Sequence, residues 1–298
     1  MKVQVKSQVL DIISKELQPI KGGFLVVGRD VNVTPTFTAA RYYWHGWQSW
    51  SLTAWVDSTR RLPPSKPALL HPMQTDPQHA HEETPGGAWV GAIEAPDGRV
   101  LLLGALNLDA RVSLKNNALK GTYESRYNDE WFVAFGPEHV VFESYAELLA
   151  ERFGKNRVER PPRVWCSWYS FYTEISETRL LDVLDSLGDL PFDVFQVDDG
   201  WQQKIGDWQP NNKFPSGMDA LAERIRATGR RAGLWLAPLL VVPSSRTYRK
   251  NPHWLLRDEH NRPVSAGYNW NEPLYALDTT HPEVLDWLDE LMQQVRDW

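Results

Sequence analysis

Between Arg163 and Val295, short apolar runs alternate with amphipathic stretches three times, and this constrains the fold more than any other feature. Arg163 to Trp168, Phe192 to Val197 and Arg231 to Leu236 read as strands. The second lies between Pro191 and Gly200, as a buried strand of an α/β fold would. Ser176 is placed to cap a helix carrying Leu180, Leu184 and Leu187, which Gly188 ends. Met218, Leu221 and Ile225 share one face of a second helix, stopped by Gly229. Thr280 is placed to cap a third, with Val284, Leu288, Leu291 and Val295 on one face. Three βα units make a parallel sheet but do not close a barrel. An open sheet or the front part of a longer protein fits this pattern. The second is the expectation, because a half-barrel leaves a strand edge and apolar helix faces unpaired.

Upstream the pattern is different. Phe24 to Val27, Val31 to Phe37, Ala88 to Ile93, Val100 to Leu106, Ala110 to Leu114 and Glu130 to Ala134 are short β-rich runs. Turn signals such as Pro96-Asp97-Gly98 and Asn116-Asn117 separate them, which predicts a β-sandwich. Residues 58–85, rich in Pro, His and polar types, read as an extended loop. Glu143 to Phe153 predicts a connecting helix, followed by a charged, Pro-rich linker from Gly154 to Pro162. The expected domains are therefore 1–155, a β-sandwich, and 156–298, the βα region.

A net charge of -6 argues against nucleic acid or an anionic membrane as partner. Met1 to Leu10 holds no apolar core of signal-peptide length, and no later run approaches a membrane span. The single Cys excludes an internal disulfide framework and makes a reducing cytoplasm the default expectation. The 15 Trp suit saccharide stacking as well as aromatic core.

Each predicted strand ends in a cluster that could carry chemistry: Trp165-Cys166-Ser167-Trp168-Tyr169, Asp198-Asp199-Gly200-Trp201 and Trp235-Leu236-Ala237-Pro238. Carboxylates at the carboxyl end of a barrel strand lie where α/β barrels place their sites. Carboxylate oxygens accept from sugar hydroxyls and an indole such as Trp201 can cover an apolar ring face. Trp168 fits a core position equally, and a lone Asp-Asp also fits a helix cap or solvated turn. His79-Ala80-His81-Glu82-Glu83 has metal-ligand residue types but reads better as a polar loop, so no metal and no cofactor are expected. Cys166 lacks a paired His and reads as a small buried residue. Glu174 and Asp207 fall in predicted loops on the active-site face, where Asp207 and Trp208 fit a pocket wall or a solvated turn.

The order Trp165-Cys166-Ser167-Trp168-Tyr169, Phe195-Gln196-Val197-Asp198-Asp199, Ile205-Gly206-Asp207-Trp208, Phe214-Pro215, Gly233-Leu234-Trp235-Leu236-Ala237-Pro238 and Tyr275-Ala276-Leu277-Asp278 resembles the α-galactosidases of glycoside hydrolase family 36, bacterial type. Gly46-Trp47-Gln48-Ser49-Trp50 resembles that family's first domain, a β-sandwich packed on a (β/α)8 barrel. The resemblance implies an N-terminal β-sandwich followed by the first three βα units of a truncated TIM barrel. It also implies small-molecule galactosides such as raffinose and melibiose as substrates. Asp198 and Asp199 resemble the pair that accepts from the galactose O4 and O6 hydroxyls. An axial O4 lies on the same side as O6, so neighbouring carboxylates can reach both, and a glucoside would leave a buried acceptor unpaired. Trp165 and Trp235 resemble aromatic walls of that subsite. Trp47 resembles an N-domain Trp lent to the pocket by some members, and fits an inter-domain packing residue as well.

Members of that family are retaining glycosidases, whose two carboxylates stand about 5–5.5 Å apart. The family's nucleophile is the Asp of a Lys-x-Asp on the fourth barrel strand, and its acid/base is an Asp further on. No Lys-x-Asp follows the third strand here. Asp198 and Asp199 are adjacent and meet a sugar from one side, so they cannot flank its glycosidic bond. The expectation is an α-galactosidase acting by double displacement, with no catalytic residue in this chain and no activity from it alone. An α-N-acetylgalactosaminidase, a galactosyl-transferring relative and a non-catalytic galactoside-binding remnant remain open.

Overall fold

A computed structural model describes residues 2–5, 8–13, 16–48, 51–59, 86–124, 130–154 and 160–298. Most of the expected 58–85 loop, with His79, His81, Glu82 and Glu83, lies outside these residues, as does most of the 154–162 linker. The chain divides into two compact units, Met1–Arg157 and Val158–Trp298. No helix among the described residues is long and apolar enough to cross a membrane.

The first unit holds β1 (Lys2–Val5), β2 (Gln8–Ile13), β3 (Glu16–Ile20), β4 (Gly23–Val27), β5 (Asp30–Pro35), β6 (Arg41–Trp44) and β7 (Ala54–Asp57). It continues with β8 (Gly86–Ala88), β9 (Val90–Glu94), β10 (Val100–Ala105), β11 (Ala110–Lys115), β12 (Ala118–Tyr123) and β13 (Glu130–Gly136). Two antiparallel sheets result, in the orders β1-β2-β5-β12-β11-β8 and β3-β4-β13-β10-β9-β6-β7. Val33, Val112 and Leu119 of the first sheet share one core with Ile93, Leu101, Leu103 and Trp131 of the second. That shared core makes a β-sandwich.

β10 is buried throughout because the period of two serves both faces. Leu101 and Leu103 point into the sandwich, while Val100 and Leu102 meet Val141 and Tyr145 of α1 (Glu138–Phe153). Gly104 lets that helix approach, since a Cβ there would stand 2.5 Å from the Tyr145 ring. The helix begins at Glu138 rather than at the expected Glu143.

The second unit contains β14 (Val164–Cys166), α2 (Trp168–Phe171), α3 (Glu177–Ser186), β15 (Val194–Val197), β16 (Gln202–Lys204), β17 (Asp207–Pro210) and α4 (Gly217–Ala227). After β18 (Arg231–Leu234) come β19 (Leu240–Val241), α5 (Arg246–Lys250), a 3-10 turn at Pro252–Trp254, β20 (Ser265–Asn269), β21 (Glu272–Ala276) and α6 (Pro282–Asp297). β14, β15 and β18 form a parallel sheet with β15 in the middle. Phe195 and Val197 turn towards Leu180 and Leu184 of α3 and Leu221 and Ile225 of α4. Ser176 caps α3 as expected, its Oγ accepting from the Arg179 N–H at 3.3 Å. β16 pairs with β17 as a hairpin, and β19, β21 and β20 form a small antiparallel sheet. The three-unit alternation did not contain either insertion.

Two expectations are corrected here. Thr280 does not cap α6; His281 holds that position with Pro282 in the first turn, where a missing N–H costs nothing. Thr280 instead donates its N–H and Oγ1 to Asp278 Oδ1, at 2.9 and 2.7 Å. The first strand stops at Cys166, so Trp168 begins the short helix α2, half-buried and edge-on to Tyr172.

Arg163 and Asp193 join the starts of β14 and β15. Asp193 Oδ2 accepts from the Arg163 backbone N–H at 2.8 Å and from Nε at 3.1 Å, and Oδ1 accepts from a terminal guanidinium nitrogen at 3.1 Å. These bonds hold the Asp193 carboxyl well below the usual carboxylate range. Its folded-state pKa is depressed, so its stabilising contribution is complete above the unfolded value and fades as pH falls towards the folded one. Asp193→Asn is therefore expected to lower the thermal midpoint at pH 7 slightly, with the gap to the unmodified chain closing progressively below about pH 4. Midpoints measured from pH 2 to 8 check this, and a constant gap would contradict it.

Candidate functional site

The chain leaves β15 at Val197, whose carbonyl accepts from the Trp235 N–H at 2.9 Å. Asp198 donates its N–H to Ser167 Oγ at 2.9 Å, and Ser167 donates its own to the Gln196 carbonyl at 3.1 Å. The turn that follows needs Gly200: its φ is +114°, and a Cβ would stand 2.6 Å from the Thr173 carbonyl. Both carboxylates are thereby driven into the protein, Asp198 at 8% and Asp199 at 2% exposure.

Each is held by protein donors on both oxygens. Gln196 alternates away from the helix-facing Phe195 and Val197, and its Nε2 donates to Asp198 Oδ2 at 2.8 Å. Cys166, level with Gln196 on the neighbouring strand, donates from Sγ to the same oxygen at 3.3 Å. Burial, followed by the adjoining Asp198 carboxylate, pushes the Cys166 thiol up, so it stays protonated at neutral pH. Asp198 Oδ1 accepts from the Asp199 N–H at 2.9 Å. On Asp199, Oδ1 accepts from Gln202 Nε2 at 2.6 Å and Oδ2 from Trp270 Nε1 at 2.5 Å. Gln202 is itself fixed, its Oε1 accepting from the Gly200 N–H at 3.1 Å. A carboxylate has about four lone-pair positions, so each Asp199 oxygen keeps one for a ligand.

The aromatic residues separate by side of the sheet. Trp235 lies 6.1 Å from Trp270 and 6.0 Å from Trp208, measured between ring centroids, which places an indole cluster beside Asp199. Trp165 stacks on Phe195 at 4.3 Å and 18°. The two residues are in register, so Trp165 packs on the helix-facing side, away from Gln196 and Asp198. Trp201, sequence neighbour of the acidic pair, is fully buried and donates to the Trp235 carbonyl at 3.0 Å. The indole that meets the pair is Trp270, 71 residues from Asp199. Trp47 belongs to the first unit, where it is half-buried and its buried Nε1 meets no hydrogen-bond acceptor among the described residues.

Asp207 is not a solvated turn. Its carboxylate accepts from the backbone N–H groups of Arg246 and Thr247 at 2.7 and 3.0 Å, capping α5 from another element. Trp208 next to it is 3% exposed. Glu174 is exposed. His253, His281 and Glu283 bring ligand-type atoms within 4.8 Å of one another, but Glu283 Oε2 already accepts from Trp254 Nε1 at 2.9 Å and lies 3.1 Å from His253 Nε2. That cluster lies at the start of α6, where His281 is the N-cap and Glu283 is in the first turn.

Chemically, the site offers two buried, pre-oriented acceptors beside two indoles. Such a site recognises hydroxyls on one edge of a ring and covers an apolar face.

A model of the melibiase family matches residues 136–297, more than half of the chain. Alpha-galactosidase AgaA of Geobacillus stearothermophilus is 29% identical over 203 residues, covering 62% of this chain and 27% of that protein. TtGalA, an alpha-galactosidase from Thermus thermophilus, is 47% identical in a structure with p-nitrophenyl alpha-D-galactopyranoside, at a TM-score of 0.94 over 100% of this chain and 61% of that one. A second TtGalA structure, in complex with stachyose, matches at the same TM-score over 64% of its chain. The chain thus spans about a quarter of AgaA and about three fifths of TtGalA.

Proposed function

The chain belongs to the melibiase family, and from that premise we propose that it carries the galactose-recognising part of an α-galactosidase. The whole enzyme hydrolyses terminal α-D-galactosyl residues of galacto-oligosaccharides with retention, by double displacement. One observation carries the reading: Asp198 and Asp199 are buried side by side at a strand end, each held by protein donors, with Trp270 and Trp235 next to them. In this reading the pair accepts from O4 and O6 of galactose and Trp235 covers the ring, while Trp165 supports the subsite from behind the sheet. The TtGalA complexes with an aryl α-galactoside and with stachyose favour an α-galactoside over other sugars. The parallel sheet supplies the first three strands of a (β/α)8 barrel.

Catalysis is assigned elsewhere. No Lys-x-Asp occurs anywhere in the sequence, and the adjacent carboxylates serve specificity. The chain by itself is expected to release no aglycone from an aryl α-galactoside above background, yet to bind galactose at least about a hundredfold more tightly than glucose in calorimetric titration. Sustained turnover would overturn the assignment of catalysis, and equal affinity for the two sugars would overturn the role of the pair.

A further inference from the structure

We infer that Trp270 is a positioning residue for sugar recognition, whose indole N–H holds Asp199 in the one orientation that leaves a lone pair on each oxygen for the ligand. The inference rests on the galactoside reading above. β20 and β21 pair Asn269 with Glu272, leaving Trp270 and Asn271 as a two-residue turn. Their φ values are +51° and +60°, the left-handed pair of a type I′ turn. Such turns favour Asn-Gly; a bulky aromatic in the first position is an outlier that persists only where its surroundings over-determine it.

The surroundings do. Glu272, at the shoulder of the turn, accepts from the Ser244 N–H at 2.9 Å and from Ser244 Oγ at 2.6 Å. Leu274 on the same strand is fully buried. The turn is therefore fixed, and it delivers Trp270 Nε1 to Asp199 Oδ2 at 2.5 Å with the ring 6.1 Å from Trp235. A half-buried aromatic serving only as core needs neither a left-handed backbone nor a charged partner for its N–H.

The test uses the whole chain and calorimetric titration with galactose, 4-deoxygalactose and 6-deoxygalactose. Trp270→Phe keeps the ring and removes the donor. It is expected to weaken galactose about tenfold while leaving one deoxy sugar, the one lacking the hydroxyl that Asp199 accepts, unchanged. Asn271→Gly relaxes the turn, keeps the indole, and is expected to bind all three sugars as the unmodified chain does. Unchanged galactose binding by W270F would overturn the inference, as would equal weakening of all three sugars. An N271G chain as weak as W270F would assign the effect to the backbone and overturn it too. An unmodified chain that binds no galactose would remove the galactoside reading, and this role with it, whereas normal binding by the unmodified chain and W270F alike would remove only the role of Trp270.

Discussion

Replacing Asp199 by asparagine is expected to reduce galactose affinity by about a hundredfold or more, roughly 3 kcal/mol. The carboxylate receives Gln202 Nε2 on one oxygen and Trp270 Nε1 on the other. An amide has one oxygen. Whichever way it is turned, one of these two donors faces an NH2 group in a site only 2% exposed. An unsatisfied buried donor costs about 1–3 kcal/mol, so the variant is expected to lose stability as well as the charged acceptor that the sugar needs. Calorimetric titration and the thermal midpoint read the two losses separately. Unchanged affinity would show that Asp199 does not touch the ligand. An unchanged midpoint would show that the neighbouring donors find other partners.

The second large effect is expected in the core. Phe195 is fully buried at the centre of the middle strand, stacked against Trp165 and in register with Ala232 of β18. Phe195→Ala removes the ring from both helix-facing contacts and from the stack, and is expected to cost about 3–5 kcal/mol. Chemical denaturation followed by tryptophan fluorescence reads this directly. A loss below about 1 kcal/mol would mean that Trp165 closes into the vacated space.

The three parallel strands were legible as short apolar runs and their helices from apolar residues at 3.6 spacing; Leu180 and Leu184, and Met218, Leu221 and Ile225, are buried as that spacing requires. β12 was not. Lys120 and Gly121 interrupt its pattern, and Gly121 is there because the Trp131 ring stands 2.7 Å from where its Cβ would be. That demand is tertiary and leaves no local trace. The site divides in the same way. Asp198 and Asp199 were legible from their place after an apolar run, but the indole that serves them was not Trp201. Trp270 stands in Asn269-Trp270-Asn271, which lacks the glycine that marks a tight hairpin. The only local sign was the two flanking asparagines. Gln202 and Gln196 carried no sign at all, because a glutamine says nothing of which carboxylate it meets.

The bond between Asp199 and Trp270 spans 71 residues, whereas α3 lies between the two strands it joins and α4 does the same for the next pair. Sequence-local contacts close early in folding and distant ones late. Closing that longer loop costs more chain entropy than closing either βα unit, about 0.6 kcal/mol for each doubling of length. The hairpin is tied to the rest of the unit by Leu274 in the shared core and by Glu272 on Ser244. A ligand that needs Asp199 fixed would therefore stabilise the seated hairpin and the folded chain together, by mass action on the one state that binds it.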